Sequence, residues 1–253
     1  MRTQTIYFPN QQTPSVFPGD SSNLAQALSE LGLKGRYPVI VLIGGEIDEQ
    51  QAGVTRGAIQ TIARIVEDLK AAVICGGTDM GIMAEIGQIR GRNGYKFPLV
   101  GVTPEEKVTW PGGPRSTRFL WWGKKRWQLE PHHSHFILVP GSQFGDESPW
   151  IVNAATLMSN GRQSVTIIIN GGEVSRKDIE LSLENGRPVI ALSRTGRLAD
   201  ELARQPDRHK LITVIPANAE QRIVETLQVA LSMTEKSFVA ELNMHHAEVV
   251  STT

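Results

Sequence analysis

Residues 39–45, Val-Ile-Val-Leu-Ile-Gly-Gly, decide the fold, because a short apolar strand there runs directly into two glycines. The same pattern returns at residues 73–77, 136–141 and 165–172. In an open parallel sheet the carboxyl ends of the strands share one edge, and ligands bind there. A glycine at such an exit lets a phosphate or a ribose come close to the backbone. The repeated pattern therefore predicts a sheet that binds a nucleotide-type ligand.

Amphipathic helices are predicted between these strands. Apolar residues at 58, 59, 62, 63, 66 and 69 recur at intervals of three and four, which is typical of a helix that packs on one face. Comparable helical patterns follow the strands predicted at 71–75, 136–139, 165–169, 189–192 and 211–215. Strands that alternate with helices predict an α/β fold with a Rossmann-like, doubly wound, mostly parallel sheet in a single domain.

Composition limits the partners of the chain. With 253 residues and 40% hydrophobic content it can bury one large core. Lysine plus arginine equal aspartate plus glutamate at 26 each, so no net charge attracts nucleic acid or an anionic membrane. The single cysteine, Cys75, forms no intrachain disulfide, and no apolar run approaches the roughly 18 residues of a membrane span. We expect a cytoplasmic protein that binds neither membrane nor nucleic acid.

Three stretches fall outside the alternating pattern. Residues 1–35 are predicted to be an amino-terminal extension with order at 5–8 and 24–31, and residues 234–253 a carboxyl-terminal tail, on either side of a domain at 36–233. Inside the domain, residues 103–131 are too long for an ordinary connection and combine proline, glycine, tryptophan and basic residues between Trp110 and Trp127. This insertion is expected to be a lid that stacks a base, a partner-facing surface, or an excursion packed over the sheet.

The glycine-rich turn at residues 76–81, Gly-Gly-Thr-Asp-Met-Gly, follows a strand and opens a helix. Thr78 or Asp79 is expected to cap this helix and leave free N–H groups facing an anion, whereas the alternative is a tight turn without a ligand. The turn has neither the lysine of a Walker loop nor a dinucleotide fingerprint, so an ordinary ATPase or dehydrogenase is not expected. The ligand-binding candidates at this and two other strand exits are Gly44, Gly45, Gly76, Gly77, Thr78, Gly81, Gly171 and Gly172.

A carboxylate lies at another exit. Residues 140–147, Pro-Gly-Ser-Gln-Phe-Gly-Asp-Glu, contribute Gly141, Ser142, Gly145 and Glu147 to the candidate site. Glu147, in the first helical turn, is placed to hold ribose hydroxyls or to assist the departure of a glycosidic leaving group. The alternative is that it only complements the dipole of the helix.

Arginines follow the strand that ends near residue 192. Arg194 and Arg197 flank Gly196 and offer guanidinium forks that suit a diphosphate, with Arg56 as a weaker third cation. By contrast, the histidines at 132, 133 and 135 enter a strand from the opposite edge and lack a second cluster of ligand-type residues, so a structural hydrogen-bonding role is favoured and no metal is expected. Cys75 is expected to be a small buried residue, because no positioned base can be named for it.

Together these segments resemble a known family. Residues 76–83, 129–139, 171–172 and 187–200 recur in this order in the cytosolic amino-terminal region of melastatin-type TRP channels. The chain looks like a stand-alone prokaryotic member of the SLOG superfamily, in the LSDAT branch that joins LOG, Smf/DprA and TRPM-type domains, over about residues 39–203. The resemblance implies a Rossmann-like sheet that binds nucleotide-derived ligands, notably ADP-ribose or cyclic ADP-ribose. The channel residues that help to bind ADP-ribose match the turn at 76–81 and Arg197.

The resemblance also bears on catalysis. LOG phosphoribohydrolases carry Pro-Gly-Gly-x-Gly-Thr-x-x-Glu, whereas this chain has Ser142 in place of the second glycine and Glu147 one position early. The channel segment Gly-x-x-x-Tyr-Gly-x-Glu is matched better, through Gly141, Phe144, Gly145 and Glu147.

Three functions follow from these comparisons of motifs. We expect a signalling module, without a cofactor, that binds an adenine-nucleotide-derived small molecule and acts through an effector protein or as a homo-oligomer. The alternative is a LOG-like nucleotide N-glycosidase or phosphoribohydrolase that uses Glu147. Binding of single-stranded DNA, as in the Smf/DprA branch, is disfavoured by the zero net charge.

Overall fold

A computed structural model describes residues 1–35, 37–114, 125–161, 163–205 and 209–232. The strands are β1 (Arg2–Tyr7), β2 (Gln12–Phe17), β3 (Val39–Gly44), β4 (Ala72–Cys75), β5 (Leu99–Pro104), β6 (Val108–Thr109), β7 (Trp127–Gln128), β8 (His135–Val139), β9 (Ser164–Ile169), β10 (Val189–Ser193) and β11 (Ile212–Pro216). The α-helices are α1 (Leu24–Glu30), α2 (Ala52–Asp68), α3 (Gly81–Asn93), α4 (Ser148–Ser159), α5 (Glu173–Glu184), α6 (Arg197–Arg204) and α7 (Glu220–Ser232).

Nine strands form one sheet in the order β1-β2-β8-β5-β4-β3-β9-β10-β11. Every neighbouring pair is parallel except β1 and β2. The predicted α/β fold with a doubly wound, mostly parallel sheet is therefore confirmed. From β3 the chain moves outward through β4, β5 and β8, and then returns to the other side of β3 as β9. The strand order thus reverses between β3 and β9, and this is the crevice where such sheets bind ligands.

Helices cover both faces of the sheet, which explains why the central strands are apolar without interruption. Side chains of α2, α3 and α7 pack on one face, and those of α1, α4, α5 and α6 pack on the other. Alternate residues of β3 serve the two layers: Ile40 and Leu42 face the first, and Val39, Val41 and Ile43 face the second. The two layers fix the strand ends of β3 and β9 from both sides.

The amino-terminal residues contribute to the sheet itself, beyond the local order that the sequence indicates for 1–35. β2 pairs in parallel with β8, with Ser15 opposite Phe136 and Val16 opposite Ile137, and β1 pairs with β2 as the outermost strand. Helix α1 buries Leu24, Ala27 and Leu28 against the second layer. β2 contains a proline and alternates only briefly, so its pattern gave a weak strand signal.

The described part of the 103–131 insertion packs over the edge of the sheet. β6 and β7 pair in parallel, and Trp110 is buried with its ring centroid 6.0 Å from that of Phe17. Trp110 and Phe17 belong to a third apolar cluster, together with Ile6, Phe136 and Leu138. Trp121 and Trp122, like the tail at 234–253, lie outside the described residues. Within the described residues, no helix is long and apolar enough to span a bilayer.

Candidate functional site

The exits of β3 and β9 lie side by side at the crevice. Gly44 is paired with Ile169, and a Cβ atom at position 44 would lie 2.1 Å from the carbonyl oxygen of Ile169. A side chain at this position would therefore collide with backbone, so the close approach of the two strands requires glycine. Gly45 continues from β3, and Gly171 and Gly172 continue from β9 into α5.

Arg197 lies across these glycines. It is the first residue of α6, and its guanidinium Nη2 is 2.7 Å from where a Cβ of Gly172 would be, while Nη1 is 3.7 Å from the Cβ position of Gly45. The backbone of Arg197 is in the left-handed region, with φ +46°. The structure thus brings together Gly45, Gly172 and Arg197, which the sequence places in three separate segments.

An open cleft of about 280 Å³ adjoins this arginine. Arg176 in the cleft is held by an ion pair of 2.8 Å with Glu201. Arg197, in contrast, has no hydrogen bond or ion pair among the described residues, and its guanidinium is available to an anion. The residues that line the cleft are Gly171, Gly172, Glu173, Arg176, Arg197, Leu198, Glu201 and Arg204.

The other predicted cations lie elsewhere. Arg56, on α2, forms an ion pair of 3.2 Å with Glu85 on α3. Arg194 is exposed and does not line the cleft, although its backbone N–H donates to the carboxylate of Asp200 and so helps to shape the start of α6.

The turn at residues 76–81 is hydrogen-bonded to the segment before β8. The predicted capping role of Thr78 or Asp79 is wrong: the residue at the cap position of α3 is Met80, and it makes no side-chain cap bond. Thr78 is buried and bridges to Leu129, while the backbone N–H of Asp79 donates to the carbonyl of Gln128 at 2.8 Å. The segment before β8 therefore uses one backbone N–H group that was expected to face an anion.

The start of helix α3 is nevertheless hydrogen-bonded to the end of β3, at the crevice. The backbone N–H of Ile82 donates to the carbonyl oxygen of Gly45 at 3.2 Å. A Cβ on Gly81, where φ is +51°, would lie 2.2 Å from the same oxygen, so this contact also requires glycine. Gly81 thus acts in close packing beside Gly45.

The loop after β8 is organised by its two carboxylates. Asp146 accepts hydrogen bonds from the backbone N–H groups of Ser142 and Gln143 at 2.9 and 3.0 Å, and Glu147 accepts one from Gly145 at 2.7 Å. The loop is also attached to α5, because Lys177 donates from Nζ to the carbonyl of Gly145 at 2.7 Å.

Glu147 is 5% exposed, and this burial raises the pKa of its carboxyl group to about 7. A second buried carboxyl group, that of Asp178 on α5, interacts with it, and burial raises the pKa of Asp178 to about 6. Mutual repulsion of the two carboxylates adds to the effect on Glu147. The sequence did not point to Asp178, which lies on an ordinary amphipathic helix. The pair provides a carboxyl group that holds a proton near neutral pH.

Aromatic rings and ammonium groups meet beside this loop. The ring centroids of Trp127 and Phe144 are 5.0 Å apart in an edge-to-face contact. Lys107 places Nζ 4.9 Å from the Trp127 centroid, and Lys125 places Nζ 4.4 Å from it. Trp127 and Phe144 are only half-buried, so the cluster combines accessible π surface with positive charge beside the loop that follows β8.

The histidine segment forms a buried network. The hydroxyl of Ser134 hydrogen-bonds the backbone of Leu99 at the start of β5. The ring of His133 contacts two side chains, with Nε2 3.2 Å from Sγ of Cys75 and Nδ1 2.7 Å from Glu130. Cys75, His133 and Glu130 are each 0% exposed. Cys75 thus has a positioned imidazole, which the sequence did not reveal because the two residues are far apart along the chain. Their complete burial favours a structural role.

Contacts within this network shift the pKa values of His133 and Glu130 in opposite directions. Burial lowers the pKa of His133, but its contacts with Cys75 and Glu130 more than compensate, and the pKa of His133 is raised to about 9. Hydrogen bonds from His133 and His132 outweigh burial at Glu130 and lower the pKa of its carboxyl group. Among the described residues, no group of three or more His, Cys, Asp or Glu side chains is arranged to hold a metal ion.

Comparison with known proteins gives a family match and matches to solved structures of the same fold. Residues 37–249 match a family model described as SLOG in TRPM, prokaryote. The chain belongs to this family. As a prokaryotic TRPM-type SLOG domain it is related to domains that bind nucleotides or other small ligands. A search of curated proteins finds no match.

Solved structures show the same fold at low sequence identity. The structural-genomics target TM1055 is 19% identical with a TM-score of 0.52, and the match covers 76% of this chain and 98% of that protein. A molybdenum cofactor carrier protein from Chlamydomonas reinhardtii is 17% identical with a TM-score of 0.52, with coverage of 78% and 100%. At these identities the likeness concerns the fold of the SLOG domain alone.

Proposed function

We propose that this SLOG domain binds ADP-ribose, cyclic ADP-ribose or a closely related nucleotide derivative at the exits of β3 and β9, and passes the signal to an effector protein or to a change of its own oligomeric state. The observation that carries the proposal is the guanidinium of Arg197, which lies over Gly45 and Gly172 without a partner among the described residues. A guanidinium is well suited to phosphate because its N–H groups form a planar fork. The neighbouring glycines carry no side chain that would keep a phosphate away from this guanidinium.

The loop after β8 supplies the other end of such a ligand. Gly145 faces Val174 on the first turn of α5, and this turn continues from Gly172, so the loop and the arginine are separated by one helical turn. Trp127 and Phe144 offer a surface on which a base can stack, and Lys107 and Lys125 add positive charge. A molecule with a base at one end and phosphates at the other fits this distribution of groups.

Binding is tested by calorimetry and thermal unfolding with ADP-ribose, cyclic ADP-ribose, NAD and AMP. A ligand that binds only the folded state raises the melting temperature by mass action. The variant Arg197→Ala should lose about tenfold to a hundredfold in affinity, since a hydrogen bond to a charged group contributes roughly 1.5–3 kcal/mol. The matched control is Arg64→Ala, which removes a half-exposed arginine on α2 that is paired with Glu220. The proposal fails if millimolar concentrations of all four compounds leave the melting temperature unchanged.

A second function is favoured by one feature, the burial of Glu147, which raises the pKa of its carboxyl group to about 7. A carboxyl group with a pKa of about 7 can act as a general acid, and protonation of a leaving base is what hydrolysis of an N-glycosidic bond requires. In that case the wild-type protein should release free base or ribose phosphate from ADP-ribose, NAD or nucleoside monophosphates. Chromatography would show this release, and Glu147→Gln should reduce it by orders of magnitude. Absence of any release, together with retained binding, would leave ligand binding as the function.

A further inference from the structure

Helix α6 presents a row of charged side chains to the cleft between α5 and α6. Arg197, Glu201 and Arg204 all line this cleft. They are four and then three residues apart, a spacing that places side chains on one face of a helix. At roughly 1.5 Å of rise per residue, the two arginines are about 10 Å apart along the helix axis. The charges along the cleft are therefore positive, negative and positive.

The carboxylate in the middle of this row is held by two neighbours. Nη2 of Arg176, on α5, donates to Oε2 of Glu201 at 2.8 Å, and Nε2 of Gln205 donates to Oε1 at 3.4 Å. Nε of Arg176 also lies 4.0 Å from Oε1 of Glu173. The positive charge of Arg176 is thus balanced by carboxylates of the protein, although this arginine lines the same cleft.

The arginines at the two ends of the row are left for a ligand. Arg204 is exposed and, like Arg197, makes no hydrogen bond or ion pair with another described residue. Arg204 lies in the last turn of α6, where a cation also complements the negative end of the helix dipole. That structural role uses its charge but does not require it to line the cleft. The cleft therefore offers two separate attachment points for anions.

We propose that this cleft binds a nucleotide derivative in which a ribose separates two phosphate groups, with one phosphate at Arg197, the other at Arg204 and a sugar hydroxyl group at Glu201. The inference rests on the proposed function and specifies the class of ligand, a compound of the ADP-ribose type with a further phosphate on a ribose. A ribose is uncharged, and its hydroxyl groups can donate hydrogen bonds to a carboxylate.

The order of charges disfavours other anions. The phosphates of a diphosphate are adjacent, so a diphosphate held by Arg197 leaves Arg204 without a partner. A longer chain of phosphates reaches Arg204 only by passing Glu201, whose negative charge repels it. A sugar between the phosphates avoids this repulsion.

The spacing is tested with two nucleotides that carry the same number of phosphates. These are adjacent in ADP and separated by the ribose in adenosine 3′,5′-bisphosphate. In calorimetry at low ionic strength, the wild type should prefer the bisphosphate by about threefold to tenfold, because each ion pair at an exposed site is weakened by water and salt. AMP, titrated in parallel, measures the contribution of a single phosphate, and ADP-ribose tests the proposed function.

Variants of Arg204 assign the preference to this residue. Arg204→Gln should lose the preference for the bisphosphate and keep the wild-type affinity for AMP. Arg204→Lys keeps the charge and should retain part of the preference, and it serves if the first variant folds poorly. If Arg204 only complements the helix dipole, Arg204→Gln should lower the unfolding temperature and leave the preference intact. The matched control is Arg222→Gln, which removes an exposed arginine of α7, on the other face of the sheet, and should alter neither quantity.

The outcomes distinguish the two proposals. If ADP-ribose binds but the wild type does not prefer the bisphosphate, or Arg204→Gln retains the preference, the subsite at Arg204 is overturned and the proposed function stands. If Arg204→Gln abolishes a preference of the wild type and ADP-ribose does not bind, the subsite stands and ADP-ribose is the wrong ligand. If no compound binds the wild type, both proposals are overturned.

Discussion

Replacing Glu147 by glutamine should change how the stability of the protein depends on pH. The carboxyl group has a pKa of about 7 in the folded protein, against 4.5 for its ordinary value, mainly because it is buried. A carboxyl group with a raised pKa binds its proton more tightly in the folded state than in the unfolded state. It therefore contributes stability that is fully present below pH 4.5 and is lost as the pH rises to about 7.

The size of the effect follows from the shift. Each pKa unit corresponds to 1.36 kcal/mol, so the free energy of unfolding should lose roughly 3 kcal/mol across this interval on account of Glu147. Glutamine has no proton to lose, and Glu147→Gln should gain about that amount relative to the wild type between pH 4 and pH 8. The burial of Asp178 adds a loss of the same sign in both proteins, so it largely cancels in the difference between them.

Urea unfolding followed by circular dichroism from pH 4 to pH 8 measures this difference. Glu173→Gln is the control, because the side chain of Glu173 is 92% exposed on the same side of the molecule and should leave the pH dependence unchanged. A constant difference between Glu147→Gln and the wild type at all pH values would refute the reasoning. It would mean that the carboxyl group has the same pKa in the folded and the unfolded protein.

Two further predictions concern other parts of the structure. Gly172→Ala should weaken ADP-ribose binding in calorimetry without unfolding the protein, because the new methyl group displaces only the flexible end of Arg197. The control Gly53→Ala, where the space is open, should bind normally. Equal affinities of the two variants would contradict this. The raised pKa of His133 means that its stabilisation is complete below pH 6.5 and is lost as the pH approaches 9. Urea unfolding should therefore show a declining wild-type stability from pH 6.5 to 9, and a smaller decline in His133→Gln; parallel curves would argue that this imidazole is not charged.

The sequence predicted which residues lie together because they are near the ends of strands. Gly44 ends a strand, Gly172 and Arg197 each lie a few residues beyond one, and parallel strands bring their carboxyl ends to one edge whatever the details of packing. For this reason the arginine and the glycines could be assigned to a common region without a structure. The cap of α3 at Met80 could not, because the backbone N–H of Asp79 is bound by the carbonyl of Gln128, which the chain reaches only after a long insertion.

The sequence also could not predict properties that depend on how deeply a side chain is buried. The pKa values of Glu147 and Asp178 depend on how α4 and α5 pack, and periodicity does not give this depth. Cys75 contacts His133, which is 58 residues later in the chain, and His133 contacts Glu130 in turn. Asn170 precedes Gly171 and Gly172, and the sequence pattern does not show which residues surround its side chain. Its buried, unpaired oxygen therefore could not be predicted.

The hairpin of β1 and β2 has a consequence for the association of sheets. The family match begins at residue 37, yet β2 pairs with β8, and Gln11 and Thr13 donate to the carbonyl of His133. A chain shortened to the matched residues would leave the edge of β8 unpaired, and a bare strand edge is a template on which other molecules add strands. We expect such a chain to aggregate where the full chain stays dispersed. The hairpin thus replaces the apolar edge of β8 with β1, an outermost strand whose residues are mostly polar and exposed.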